Sequence, residues 1–180
     1  MQVFNVDWRG ASIAGAAYGA GVKQDTPAMK INCSEEFASA RSCGGRLEAL
    51  LTLWRGKLHE RPMPARNDFT VRELGPWLGH LALIEVSNAG EFKFRLCGTE
   101  LRPCFQCDAT GVYVHHLPQT LRDPLSRQLN RVCGTGIPMF AVQEESIDGE
   151  RVTFSELLLP LSHDGIGVTM LMLAIYHSAP

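Results

Sequence analysis

Leu47, Leu50, Leu51, Trp54 and Leu58 recur at the i, i+3, i+4, i+7 and i+11 positions of one helical face, which predicts an amphipathic helix over 46–58. Pro62 and Pro64 then remove backbone donors, so 59–68 is expected to run extended. Asp68 or Thr70 is placed to cap a short helical turn ending at Leu74, before the break at Gly75-Pro76. Residues 81–86 (LALIEV) read as a largely buried strand. In 91–97 (EFKFRLC), Phe92, Phe94 and Leu96 alternate with Lys93, Arg95 and Cys97, and the turn formers Ser87 to Gly90 join the two segments as a hairpin.

From Gly98 to Gly136 the pattern changes to short helical pieces broken by Pro103, Gly111 and Pro118. A better helix is expected to begin at Asp123-Pro124, with Asp as cap and Leu125, Leu129 and Val132 as its inner stripe. The strand period returns over 138–145, 151–159 and 167–176, separated by turn sequences at 146–149 and 162–165. The expected order is helix, two strands, a helical middle and three strands, an α+β architecture of antiparallel neighbours.

Residues 1–43 carry Gly and Ala without either period and are read as a flexible leader, with Met29 as an alternative start and no role for Trp8. The 180 residues therefore hold one domain, over 44–180, with no room for an attached output domain. Seventeen Lys and Arg against 19 Asp and Glu give a net charge of -2 without a basic block, which argues against nucleic-acid or membrane-surface partners. The longest weakly polar stretch, 165–176, falls short of the roughly 20 apolar residues of a spanning helix. Six cysteines, at 33, 43, 97, 104, 107 and 133, then suit a reducing cytoplasm.

Several short motifs carry a resemblance over about residues 46–177. They are Trp54-Arg55-Gly56, Met63-Pro64-Ala65-Arg66 with Asp68, Phe92 to Leu101, Asp108-Ala109-Thr110-Gly111, Gly136-Ile137-Pro138, and Leu157 to Ser162 with Asp164-Gly165. In this order the sequence resembles the PAS-like family of small domains found mainly in alphaproteobacteria. The resemblance implies a five-stranded antiparallel sheet, helices inserted between strands two and three, a small core pocket and a regulatory role. A stand-alone module of bacterial signalling is expected, acting through an unknown small molecule, a signalling protein or a homodimer.

Phe94, Leu96, Phe105, Phe154, Leu158, Met170 and Met172 are the candidate ligand-lining residues, with Arg95 as a fork for an acidic ligand or a structural partner of Glu85. Leu47, Leu50, Leu51, Trp54 and Leu58 are the candidate dimer surface, or else pack on their own domain. Cys104 and Cys107, followed by His115 and His116, form the alternative: a thiol-redox or metal sensor. Their spacing matches no structural zinc pattern and Asp108 follows Cys107 where haem attachment needs His, so bystander thiols are favoured and no metal or cofactor is assigned. Nucleophile elbows, phosphate loops and metalloprotease motifs are missing, which predicts a non-enzymatic module.

Overall fold

The computed structural model describes residues 45–178 except 88, 148 and 149. The expected leader over 1–43, with Trp8, Met29, Cys33 and Cys43, lies outside the described residues. Helix α1 (Arg46–Gly56) starts after Gly45, whose φ of 72° is left-handed backbone that glycine adopts without a Cβ penalty. Leu47, Leu50, Leu51 and Trp54 are buried along one face, and Trp54 Nε1 donates to the Pro160 carbonyl at 2.9 Å. The 59–68 connector turns where it was expected to run extended, with His59 and Glu60 left-handed (φ 43° and 69°) and Arg66–Asp68 in a 3-10 turn, because the two prolines block α-helix but not turns. After it, α2 (Val71–Leu74) has a reciprocal cap. Glu73 N donates to Thr70 Oγ1 at 3.2 Å and Thr70 N donates to the Glu73 carboxylate at 2.9 Å.

Strands β1 (Leu81–Val86) and β2 (Phe92–Cys97) form the expected hairpin. Helices α3 (Arg102–Phe105) and α4 (Gln119–Thr135) follow, then β3 (Met139–Ile147), β4 (Glu150–Leu161) and β5 (Met170–Ser178). The five strands make one antiparallel sheet in the order β2-β1-β5-β4-β3, so β5 returns to the middle beside β1. Helices stand between strands two and three, as the resemblance implied.

The sheet is buried on both faces by two apolar clusters. One gathers α3, α4 and the 109–117 segment over Ala82, Ile84, Phe94, Leu158, Leu171 and Leu173. The other packs α1, Phe69, Leu74 and Trp77 over Leu81, Leu83, Leu157, Leu159, Met172 and Tyr176. Successive residues of β4 and β5 thus enter opposite clusters, as the pleat requires.

Two further expectations are corrected. The strict alternation read from Phe92 through Leu96 breaks at a β-bulge: Ile84 faces Phe94 and Leu83 faces Leu96, leaving Arg95 without a partner in the register. One inserted residue reverses the side of everything after it, so Phe94 enters the α4 cluster and Leu96 the α1 cluster. Helix α4 begins at Gln119 instead of Asp123. Leu121 N and Arg122 N both donate to Pro118 O at 2.9 Å, which places Pro124 inside the helix and adds Leu121 to its buried stripe.

Candidate ligand site

The stripe of α4 that faces the sheet runs Leu121, Leu125, Gln128 and Val132, at i, i+4, i+7 and i+11. Gln128 is the polar member of that series. Opposite, the face of β4 that enters the same cluster runs Phe154, Glu156, Leu158. Glu156 therefore occupies a position that strand periodicity reserves for the core, and it is 8% exposed. Its register partners are Ala141 on β3 and Ile175 on β5.

Gln128 Nε2 donates to Glu156 Oε2 at 3.3 Å. Burial pushes the Glu156 carboxyl up from 4.5 to about 7, and the Gln128 donation offsets only part of that. Gln128 Oε1 is buried without a hydrogen-bond partner, a condition that costs about 1–3 kcal/mol. A protonated Glu156 can offer its O–H to an acceptor, which makes the neutral pair close to self-sufficient. An ionised Glu156 leaves carboxylate and amide oxygens as neighbouring acceptors that call for an outside donor. This is a chemically specific point within an apolar layer, the arrangement that orients small ligands.

Of the residues expected to line a pocket, Phe94, Phe105, Phe154 and Leu158 do share this cluster, with the Phe94 and Phe105 rings edge to face at 5.0 Å. Leu96, Met170 and Met172 do not, because they pack on the α1 side of the sheet. The bulge accounts for Leu96, and the register of Met170 with Leu161 and Met172 with Leu159 accounts for the methionines. Arg95 is exposed and lies 3.7 Å from the Glu85 carboxylate, a solvent-facing pair on the hairpin and not part of this layer. Sequence reading missed Glu156 and Gln128. Each breaks an otherwise apolar row at its proper period, and that was the available signal.

The apolar stripe expected at a dimer surface is covered by its own sheet. Leu47, Leu50, Leu51 and Trp54 are buried there and Leu58 packs partly against the same cluster. A protein reaching α1 would meet its opposite side, including Glu48, Thr52 and Arg55.

Cys104 and Cys107, the alternative redox or metal pair, are both free thiols in different surroundings. Cys104 packs against the α4 cluster whereas Cys107, beyond a left-handed Gln106 with φ 58°, is exposed. Burial, with the nearby Glu156 charge, pushes the Cys104 thiol up to about 11, and burial does the same for Cys97 and Cys133. Such thiols stay protonated at neutral pH and are poor nucleophiles. His115 and His116 are exposed; His115 stacks on Tyr113, and His116 stands edge to face against both rings. Among the described residues no group of three or more His, Cys, Asp and Glu is placed to hold a metal ion. No helix among them is long and apolar enough to cross a membrane.

Two of the sequence motifs fold and anchor turns. Asp108 accepts from Thr110 N at 3.0 Å and pairs with Arg102 at 2.8 Å. Thr110 Oγ1 accepts from Cys97 N at 3.1 Å, and Gly111, at φ 82°, donates to Phe94 O at 2.8 Å. Together these fasten the 108–111 turn to the outer edge of β2. Asp164 folds the 162–167 turn by accepting from Ser162 Oγ at 3.0 Å and Ile166 N at 2.9 Å. Ser162 N in turn donates to Pro64 O at 2.9 Å, which ties the connector to the sheet.

A family model described as PAS domain matches residues 45–174. No curated protein matches the chain.

Proposed function

Because the chain belongs to the PAS domain family, we propose that it is a sensory module of bacterial signal transduction whose input is a small molecule held between α4 and the sheet. The observation that carries this reading is the Glu156–Gln128 pair, two polar side chains placed on rows that periodicity assigns to the core, with Gln128 Oε1 buried and unpartnered. A domain that needed only a stable interior would fill both rows with hydrocarbon. Phe94, Phe105, Phe154 and Leu158 supply the apolar lining.

The output would pass through β4. Its residues alternate between Phe154, Glu156 and Leu158 toward α4 and Leu157 and Leu159 toward α1. Helix α1 is fixed to the same strand by the bond from Trp54 Nε1 to Pro160 O. A ligand that prefers one arrangement of β4 therefore biases how α1 sits, and a partner protein on the exposed side of α1 would sense the difference.

Native mass spectrometry of freshly purified protein, set against the denatured mass, tests the input. A retained small-molecule mass is expected in the wild type and is lost or reduced in Gln128→Leu. An apo mass, together with no stabilisation of the fold by any member of a broad metabolite library, would remove the small-molecule reading.

A further inference from the structure

We infer that the small molecule is an organic cation, an amine, amidine or guanidine, whose N–H groups bond the Glu156 carboxylate and Gln128 Oε1 while its hydrocarbon part lies among Phe154, Leu125, Leu129 and Leu158. This rests on the reading of the α4 face as a ligand site and specifies the chemistry of what enters it.

The groups waiting there are acceptors. Gln128 has committed an amide N–H to Glu156 Oε2 at 3.3 Å, and its own oxygen is left buried and unpartnered. Burial raises the Glu156 carboxyl to about 7, so near neutral pH both its neutral and its carboxylate form are accessible, and a cation would favour the carboxylate. Among the described residues no Lys or Arg forms a salt bridge with it, and its titration responds only to burial and to Gln128. Cys104, the other titratable group beside it, is held as the neutral thiol and supplies no charge of either sign.

Charge separates the ligand classes. An anion would meet the carboxylate at close range in a layer of low dielectric, where repulsion is least screened. A neutral hydroxyl or amide could satisfy Gln128 Oε1 but would leave the Glu156 charge uncompensated. A cation with two or more N–H groups answers both, and hydrogen bonds to a charged partner are worth about twice neutral ones. A hard metal ion is the wrong occupant, because it requires about six oxygen ligands and the site offers one carboxylate and one amide. The lining is apolar and aromatic, which suits a cationic head on a hydrocarbon or ring.

Four size-matched probes test the class: benzamidine, benzylamine, benzyl alcohol and benzoate. Each is titrated into the full chain carrying 13C-labelled leucine methyls, so that Leu125, Leu129 and Leu158 report occupancy of this face whatever the probe's charge. Benzamidine and benzylamine are expected to shift these methyls saturably, benzyl alcohol at least about tenfold more weakly, and benzoate not at all. Glu156→Gln should weaken the two cations at least about tenfold and leave benzyl alcohol unchanged. Gln128→Leu, at the end of the pair nearer solvent, is the second variant should Glu156→Gln fold poorly, and it should weaken the cations as well. Binding of benzyl alcohol or benzoate as tight as that of the cations, or cation affinity untouched by both variants, overturns the cation class while the ligand site stands. If none of the four moves these methyls and only residues elsewhere respond, the site itself is withdrawn and the class with it.

Discussion

Glu156 has to be stripped of water to occupy its row on β4, and the cost falls on its charged form. In the unfolded chain the carboxyl titrates near 4.5, whereas in the folded chain it does so at about 7. Between those values the native state binds more proton than the unfolded state, so stability falls as pH rises through the window and the loss is complete above it. The full swing is on the order of 3 kcal/mol. Glu156→Gln removes it: the variant is expected to exceed wild type by about 1–3 kcal/mol at pH 8 and to match it near pH 4.5, measured by urea unfolding at both pH values. Equal stability at pH 8 would mean that the carboxylate is already solvated or paired in the native state. Asp108 and Asp164 act in the opposite direction. Backbone donors hold both below the usual carboxylate range, so their contribution is present above that range and is lost as pH falls below it through their lowered folded values; the substitution should leave this acid limb unchanged. Gly98 makes a second prediction at this scale, although its φ of -62° is ordinary. A Cβ there would overlap the Gly79 carbonyl and stand 2.5 Å from Leu78 O, both backbone atoms that cannot rotate away. Gly98→Ala should cost about 2 kcal/mol or more by thermal denaturation, and a neutral result would show that the 78–80 turn can move aside.

Helix α1 and the β1–β2 hairpin show which elements can be read from a sequence and why. The α1 stripe was legible because a period of 3.6 over eleven residues admits one buried face, and the structure buries Leu47, Leu50, Leu51 and Trp54 together. What covers that face was not legible, since a dimer partner and the chain's own sheet want the same residues. With the sheet in that place, Trp54→Ala is expected to cost about 3–5 kcal/mol and Trp54→Phe about 1 kcal/mol, the latter for the bond to Pro160 O. Trp54→Glu should unfold α1 or the whole domain without changing the oligomeric mass of the wild type from which it derives. Light scattering combined with circular dichroism would separate this from dimer loss, which predicts a halved mass and intact helix. The hairpin was readable as two strands but not in register, because the sequence from Phe92 to Cys97 fits strict alternation perfectly well on its own. Only pairing with Leu83 and Ile84 reveals Arg95 as the inserted residue, so Leu96 could not be placed from β2 alone. Glu156 and Gln128 were hidden for a related reason: a polar residue in an apolar row becomes conspicuous once the row is known to face inward. Asp123-Pro124 misled because it matches a helix start in residue type, whereas the backbone had already been turned at Pro118.

At the scale of the whole molecule, a single sheet serves two cores, and β1, β5 and β4 are the strands that place buried residues in both. Leu157 and Leu158 are neighbours in the chain but support opposite layers, as do Leu171 and Met172. Neither layer can be lost while the other keeps its floor, so both should unfold in one transition. Leu157→Ala and Leu158→Ala are each expected to cost about 2–5 kcal/mol, and each should reduce amide protection in the central strands to the same degree on whichever face the cavity lies. The same linkage carries the signalling argument. A ligand that binds only the folded α4 face adds RT ln(1 + [L]/Kd) to global stability, and the amides of β1, β4 and β5 that exchange by global unfolding must gain that increment wherever the ligand sits. Helix α1 is the informative element, because it can also open locally. If ligand binding reshapes β4, hydrogen exchange in α1 will change by an amount different from the global increment, through the altered seat of Trp54 on Pro160. An α1 response equal to the increment, or no α1 response at all, would mean that the α4 face binds without informing α1, and the route through β4 would be wrong.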